Sequence, residues 1–360
     1  MRIDSEKRAL IWLSLSESLT PRGRRLLLES AGDPGRALVG FGAAARTLIG
    51  DKAYRELAGA GETLDAAVSR MESLGIVALT PSDEAFPDRL RRIPDAPELI
   101  YVKGQYRPRP SVAIVGSRRD TRYGREMARR IARDLAEAGV TVVSGLARGI
   151  DTAAHQGAVQ ANGVSVGVLG CGLDSLYPKE NTELAEAMLA KGGCLISEYP
   201  AGTQPLPYHF PHRNRLISGL SDGVLLIEAT LRSGTQSTVN HALEQGRTVF
   251  ALPGNVDAPG SELPLRLLKE GAELCTCASD ILTHLRLPAP EKAATAENTI
   301  KEAAPDDPSL RALEREEKTF EELLEETGLP AGQLTSDLTM LELDGQIERR
   351  PGRAYARIRK

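Results

Sequence analysis

Four glycine-bearing turns carry most of the residues in this sequence that could do chemistry. They are Gly116-Ser117-Arg118, Ser144-Gly145-Leu146-Ala147-Arg148-Gly149, Gly170-Cys171-Gly172 and Ser233-Gly234-Thr235. Glycine lets a backbone approach a phosphate closely, and a helix start behind such a turn offers unbonded N–H groups and the positive end of a dipole. Arg118 and Arg148 add charge and paired donors for phosphate oxygens. A single turn of this kind needs glycine for its own geometry, but four on one rim point to a phosphate-bearing ligand. Basic and aromatic residues then interleave, first in Tyr177-Pro178-Lys179-Glu180-Asn181 and again in PLPYHFPHRNRLISGLSDG. The second stretch holds Tyr208, Phe210, Arg213, Asn214 and Arg215. Such a mixture suits a groove that grips backbone phosphates while a few bases stack. The plainer reading is that the aromatics anchor a long loop.

Other chemistries find less support. The first turn reads VGSRRDTRYG, not G-x-G-x-x-G, no acid closes the second predicted strand, and no Walker lysine is present. No cofactor is expected. His209 and His212 lack further ligands nearby, and Cys275-Thr276-Cys277 lacks the spacing of a zinc site, so no metal is expected. Asp151 and His155 stand one helical turn apart. They could form an acid–base pair, but Asp151 reads better as the cap of the helix that begins DTAAHQGA. Glu198 and Glu228 both close predicted strands. Each could bond the sheet edge or serve as the general base of a nucleoside hydrolase. No catalytic residue is assigned.

The elements that must position these groups alternate regularly. Apolar runs at SVAIVG, VTVVSG, VSVGVLG, GCLISE, DGVLLIEA and TVFALPG are separated by amphipathic segments such as GREMARRIARDLAEAG. That order predicts an α/β fold, an extended Rossmann-like parallel sheet covered on both faces, with ligands outside the carboxyl ends of the strands. Residues 76–285 are assigned to this domain, with Ile76–Leu79 and Leu99–Val102 expected as strands added at its edge. Residues 1–75 predict a small module of short helices, broken at Gly and Pro clusters. Residues 286–308, rich in Ala, Pro and charge, predict a linker. Residues 309–360 predict helix-turn-helix and a hairpin, the layout of a winged helix. The bases between Arg349 and Lys360 would form its wing, or a solvated terminal run.

Composition sets bounds on all of this. The chain of 360 residues carries 45 basic and 49 acidic groups, net −4, and only 4% aromatics, which gives no general basic coat. Four scattered cysteines do not make a disulfide framework, no apolar run is long enough to cross a bilayer, and no signal peptide is evident. A cytoplasmic location with no membrane partner is expected.

Several blocks together resemble the bacterial DNA-processing protein A family (DprA, also called Smf). They are VAIVGSR, VVSGLARGIDTAAHQGA, VGVLGCGLDSLYPKEN, LISEYP, FPHRNRLISGLSDGVLLIEA and ALEQGRTVFALPG, spanning about residues 111–254. The resemblance implies a non-enzymatic protein that binds single-stranded DNA and loads RecA onto it in natural transformation, as a homodimer. It also implies a pocket with Arg118 and Lys179, with Arg213, Asn214 and Arg215 nearby. The backbones of Gly116, Ser117, Ser144 and Gly145 would meet phosphates. Two stretches depart from the family pattern, SGTQSTVNHA and LPLRLLKEGA, so no site is carried onto residues 255–268. The alternative class is a nucleotide-processing enzyme of the phosphoribohydrolase type. Its PGGxGT turn and following Glu are absent, since the corresponding region reads EATLRSGTQST.

Overall fold

Six of the apolar runs form buried parallel strands, as their near-continuous hydrophobicity requires. The computed structural model describes residues 4–287, 308–313, 317–343, 346–350 and 354–358, and they fall in two units divided near residue 290. In the larger unit the strands are β1 (Ile76–Leu79), β2 (Ile100–Gly104), β3 (Ser111–Val115), β4 (Thr141–Ser144), β5 (Ser165–Leu169), β6 (Cys194–Ser197), β7 (Gly223–Leu226), β8 (Thr248–Ala251) and β9 (Glu273–Leu274). The sheet order is β1-β2-β6-β5-β4-β3-β7-β8-β9. From β6 to β9 every pairing is parallel, and β2 and β1 extend the edge antiparallel. The expected edge strands are therefore present, with the second shifted to Ile100–Gly104. The chain builds outward from β3 to β6, then returns to place β7 on the other side of β3. That reversal is the topological switch point at which such sheets open a crevice.

The helices cover both faces. The unit contains α1 (Ser5–Ser14), α2 (Pro21–Ala31), α3 (Pro34–Val39), α4 (Ala43–Ile49), α5 (Asp51–Ser73), α6 (Asp88–Arg91), α7 (Arg122–Glu137), α8 (Ile150–Gln160), α9 (Thr182–Ala190), α10 (His209–Gly219), α11 (Thr235–Glu244), α12 (Glu262–Lys269) and α13 (Ala278–His284). One face of the central strands, with Val143, Val168 and Val224, buries Leu216, Ile217 and Leu220 of α10 and its end, Val239 of α11 and Leu263 of α12. The other face, with Val112, Ile114 and Val142, buries Ile131 and Leu135 of α7, Ala153 and Ala154 of α8 and Ile281 of α13. Side chains of successive strand residues point to opposite faces, which is why one run of valines serves two layers.

The first five helices share one apolar cluster with the sheet edge, in which Trp12 and Leu57 join Ala78, Tyr101, Met188 and Leu195. Trp12 donates its indole N–H to the Leu57 carbonyl at 2.9 Å. The sequence predicts only short helices here, yet α5 runs for 23 residues. Its buried Ala53, Leu57, Ala60, Leu64 and Met71 follow a helical spacing that passes through Gly59 and Gly61. Packing on one face outweighs the cost of two interior glycines, roughly 1 kcal/mol each.

The smaller unit comprises α14 (Pro308–Ala312), β10 (Lys318–Thr319), α15 (Phe320–Thr327), α16 (Ala331–Leu343), β11 (Ile347–Arg350) and β12 (Ala354–Arg357), with strand order β10-β12-β11. Leu310, Leu323, Leu334, Leu338 and Ile347 make its core. Thr319 and Glu322 exchange hydrogen bonds across the start of α15, a capping box, and Gly328 ends that helix in the left-handed conformation. Two helices followed by a hairpin give the expected winged helix. Most of the expected linker, residues 288–307, lies outside the described residues, as do Arg353, Arg359 and Lys360 of the expected wing. Among the described residues no helix is long and apolar enough to cross a membrane.

Candidate nucleic-acid interface

The carboxyl ends of β3, β4 and β5 meet where the sequence places its glycine turns. Gly149 has φ +79°, and a Cβ there would collide with the Ser117 carbonyl, so only glycine lets the turns after β3 and β4 touch. The Ile150 N–H then donates to the Ser117 carbonyl at 3.2 Å. Asn181 ties in the third segment. Its amide donates to the Leu146 carbonyl at 2.9 Å and to Thr152 Oγ1 at 2.8 Å. Gly149→Ala is expected to lower stability by about 2–4 kcal/mol, combining a disallowed backbone with a steric clash. Chemical denaturation of the two chains would measure it, and a loss under about 1 kcal/mol would contradict the close approach.

A cleft opens above these turns, lined by Arg118, Gly145, Ala147, Arg148, Tyr177, Pro178 and Phe210. The Arg118 guanidinium stands over the Phe210 ring, 4.9 Å from its centroid, and Arg148 stands over Tyr177 at 5.7 Å. The two rings are 5.9 Å apart. Arg148 also pairs with Glu180, and both are exposed, so that pair is worth little and can exchange for a phosphate. Arg118 and Lys179 are exposed, and among the described residues neither side chain has a hydrogen bond or ion pair. Cations held over aromatic faces with their outer sides open suit a phosphodiester strand.

Not every expected residue faces this cleft. Arg213 is 3% exposed. It donates Nη1 to the Val168 carbonyl and lies against Gly145, whose Cβ position its guanidinium fills. Burial pushes the pKa of Arg213 down to about 10, against the pull of Asp151. Arg215 is also buried, with Glu198 at 2.6 Å and Asp95 at 2.9 Å, and these carboxylates hold its charge against the cost of burial. Asn214 joins α10 to the start of α11, donating to Ser237 Oγ at 2.7 Å. The Ser144 hydroxyl is buried on the Ile114 carbonyl. The Gly145 N–H goes to Asp151 and the Ser117 N–H to the Glu228 carbonyl, so neither is open to a phosphate. The sequence reading expects Arg213, Asn214 and Arg215 near the pocket and the Gly116, Ser117, Ser144 and Gly145 backbones at phosphates. The structure puts the polar groups of Ser144, Arg213 and Arg215, and the Ser117 and Gly145 N–H donors, to work beneath the rim. The Gly116 backbone remains half-exposed, and its carbonyl accepts from Thr235 Oγ1 at 3.0 Å.

Three acids also find definite places. Asp151 is not the cap of α8. It lies in the first turn and reaches back to the N–H groups of Gly145 and Ala147, at 3.1 and 3.4 Å, while Gly149 occupies the cap position. Burial raises its pKa, opposed by Arg213 and those two N–H groups. Glu228 accepts from the Thr121 N–H at 2.9 Å and the Thr121 hydroxyl at 2.5 Å, and a Cβ on Gly124 would strike its carboxylate. A carboxylate of this chain thus occupies the start of α7, the place where a Rossmann fold receives a nucleotide phosphate. Glu198 is engaged by Arg215.

His155 does not meet Asp151 and instead bonds Ser165 Oγ through Nδ1 at 2.6 Å. It is fully buried, which pushes its pKa down to about 3. Below about pH 6.5 the unfolded chain binds a proton here that the native state refuses, so stability falls with pH from there to about 3. The slope is at most about 1.4 kcal/mol per pH unit. Asp151, with its raised pKa, acts in the opposite sense and adds stability as the pH falls towards its unfolded value. His155→Gln is expected to flatten the descent, read from denaturation midpoints between about pH 6.5 and 4.5. An unchanged slope would remove His155 as its source.

Comparison with known proteins gives this arrangement a lineage. Residues 77–286 match the family model for DNA recombination-mediator protein A. The chain belongs to that family. Residues 288–353 match the DprA winged helix domain. Protein Smf of Escherichia coli strain K12 is 44% identical over 291 residues, covering 78% of this chain and 78% of its own length. The X-ray structure of DNA processing protein A from Streptococcus pneumoniae superposes with a TM-score of 0.64 at 35% identity, covering 79% of this chain and 98% of that one. A Helicobacter pylori DNA processing protein A, solved for its single-stranded DNA binding mode, gives 0.53 at 30% identity, covering 59% and 95%. The family and α/β core agree with the sequence blocks quoted above, and the winged helix with the layout read in residues 309–360.

Proposed function

We propose that this DprA-family chain binds single-stranded DNA at the rim and loads RecA onto the strand during natural transformation. It acts in the cytoplasm as a homodimer without catalysing a reaction. The observation that carries the reading is the pair Arg118 and Arg148 over the Phe210 and Tyr177 rings, at the carboxyl ends of a parallel sheet, with the exposed Lys179 two residues beyond Tyr177. Phosphates take the guanidinium and ammonium groups, and bases stack on the open ring faces. The described DNA binding of the Helicobacter pylori relative supports the same ligand here.

An oligonucleotide shift assay comparing single with double strands, followed by RecA addition, tests it. Preference for the single strand and faster RecA filament growth on the bound strand are expected. Equal binding of both forms would overturn the first part, and RecA exclusion from the bound strand the second.

A further inference from the structure

The opposite pole of the sheet carries a second concentration of positive charge. At the amino ends of β3 and β7, Arg89 is saturated by protein groups. It donates Nη1 to the Arg109 carbonyl at 2.8 Å and to Ser111 Oγ at 2.6 Å, and Nη2 to both oxygens of Asp222. Asp222 also accepts the Ser111 N–H at 2.9 Å. Asp222 is thereby fully engaged. Three further arginines belong to the same patch: Arg92 lies three residues after Arg89, with its N–H on the Arg89 carbonyl at 3.4 Å, Arg109 offers the carbonyl that Arg89 bonds, and Arg247 reaches the end of α10. Arg247 donates Nη2 to the Gly219 carbonyl at 3.2 Å, while its Nε is buried without a partner. Its pKa is lowered by burial and then by the charges of Arg89 and Arg92. Arg92 and Arg109 are exposed, and among the described residues their side chains have no hydrogen bond or ion pair.

The end of α10 explains part of this. Its last carbonyls attract cations, and Arg89 and Arg247 bond Leu220 and Gly219 there. It does not explain Arg92 and Arg109, which bond no carbonyl and gain nothing from crowding like charges. Exposed arginines on one patch that no carboxylate pairs are what a polyanion requires, and guanidiniums match phosphate oxygens two at a time.

We propose that Arg92, Arg109 and Arg247 form a second phosphate-binding site, which takes the sugar–phosphate backbone of a DNA strand already held at the rim. This rests on the single-strand reading above. The central strands run about 17 Å from pole to rim, so a short oligonucleotide fills the rim alone while a long one reaches both. The two sites would then set the course of the strand over the α10 to α12 face.

The test compares an oligothymidylate of about 6 nucleotides with one of about 25 on the full chain, in rising salt. Arg92→Ala/Arg109→Ala removes two exposed side chains with no packing role. It should leave the short oligonucleotide within about twofold and weaken the long one about tenfold. Its log–log salt slope should fall by about 0.7 for each lost contact. Arg92→Lys/Arg109→Lys should restore most of the loss. If the long oligonucleotide binds the variant as tightly as the parent, or if both lengths lose affinity equally, the pole is not a second site. If the parent chain binds neither length, the rim reading fails as well, and the two failures are thereby told apart.

Discussion

Replacing Arg118 and Lys179 together by alanine is expected to weaken single-strand binding about 10- to 30-fold at roughly 0.1 M salt, because two counterion-releasing contacts are lost. The loss should be the same for every sequence, since phosphate contacts carry no base information. The salt slope should fall by about 1.4. Stability should stay within about 0.5 kcal/mol, because both side chains are exposed and neither has a hydrogen bond or ion pair with another described residue. Fluorescence anisotropy with a labelled oligonucleotide reads the affinity, and thermal denaturation checks the fold. Arg118→Ala alone also removes the cation over Phe210, so it should exceed Lys179→Ala. Unchanged binding by the double variant at moderate salt would displace the site from this rim.

The sequence already indicates a focused pocket on a near-neutral chain, and the structure narrows it further. Strands β3 to β8 are legible because a strand buried on both faces has to be apolar throughout. β9 is not, since its two residues, Glu273 and Leu274, are both exposed and leave no pattern. The place of Arg118 is legible because strand-end turns in a parallel sheet share one edge. What composition does not reveal is which arginine faces out. In HFPHRNRLISG the residue types suggest an exposed basic patch, yet Arg213, Leu216, Ile217 and Leu220 recur at i, i+3, i+4 and i+7. That spacing sets Arg213 on the sheet-facing stripe of α10, and it was the available sign of burial. Asp151 is subtler. An acid in the first turn of a helix looks like a cap until the preceding turn is seen to fold back over it.

The buried position of Arg213 leads to the prediction with the largest effect on stability. Arg213→Met keeps much of the side-chain volume but removes the donor to Val168 and the positive charge beside the Asp151 carboxylate. Leaving a buried carboxylate without its nearby countercharge costs about 3–5 kcal/mol. In a unit of this size that lowers the melting temperature by about 10 °C. Asp151→Asn should cost less on its own, because it keeps one acceptor for the Gly145 and Ala147 N–H groups. The double variant should be more stable than the sum of the single losses by about 1–3 kcal/mol, the signature of groups that act on each other. Binding separates this role from a phosphate contact. A phosphate-contacting arginine would lose affinity on becoming Met and leave the melting temperature nearly unchanged, as expected for Arg118. A positioning arginine loses stability first. Affinity then falls only as far as the Gly145–Arg148 turn loosens, with the salt slope preserved because the count of phosphate contacts is unchanged. If Arg213→Met lowers the salt slope while leaving the melting temperature alone, the guanidinium reaches the strand and its buried place beneath Gly145 is not the binding state.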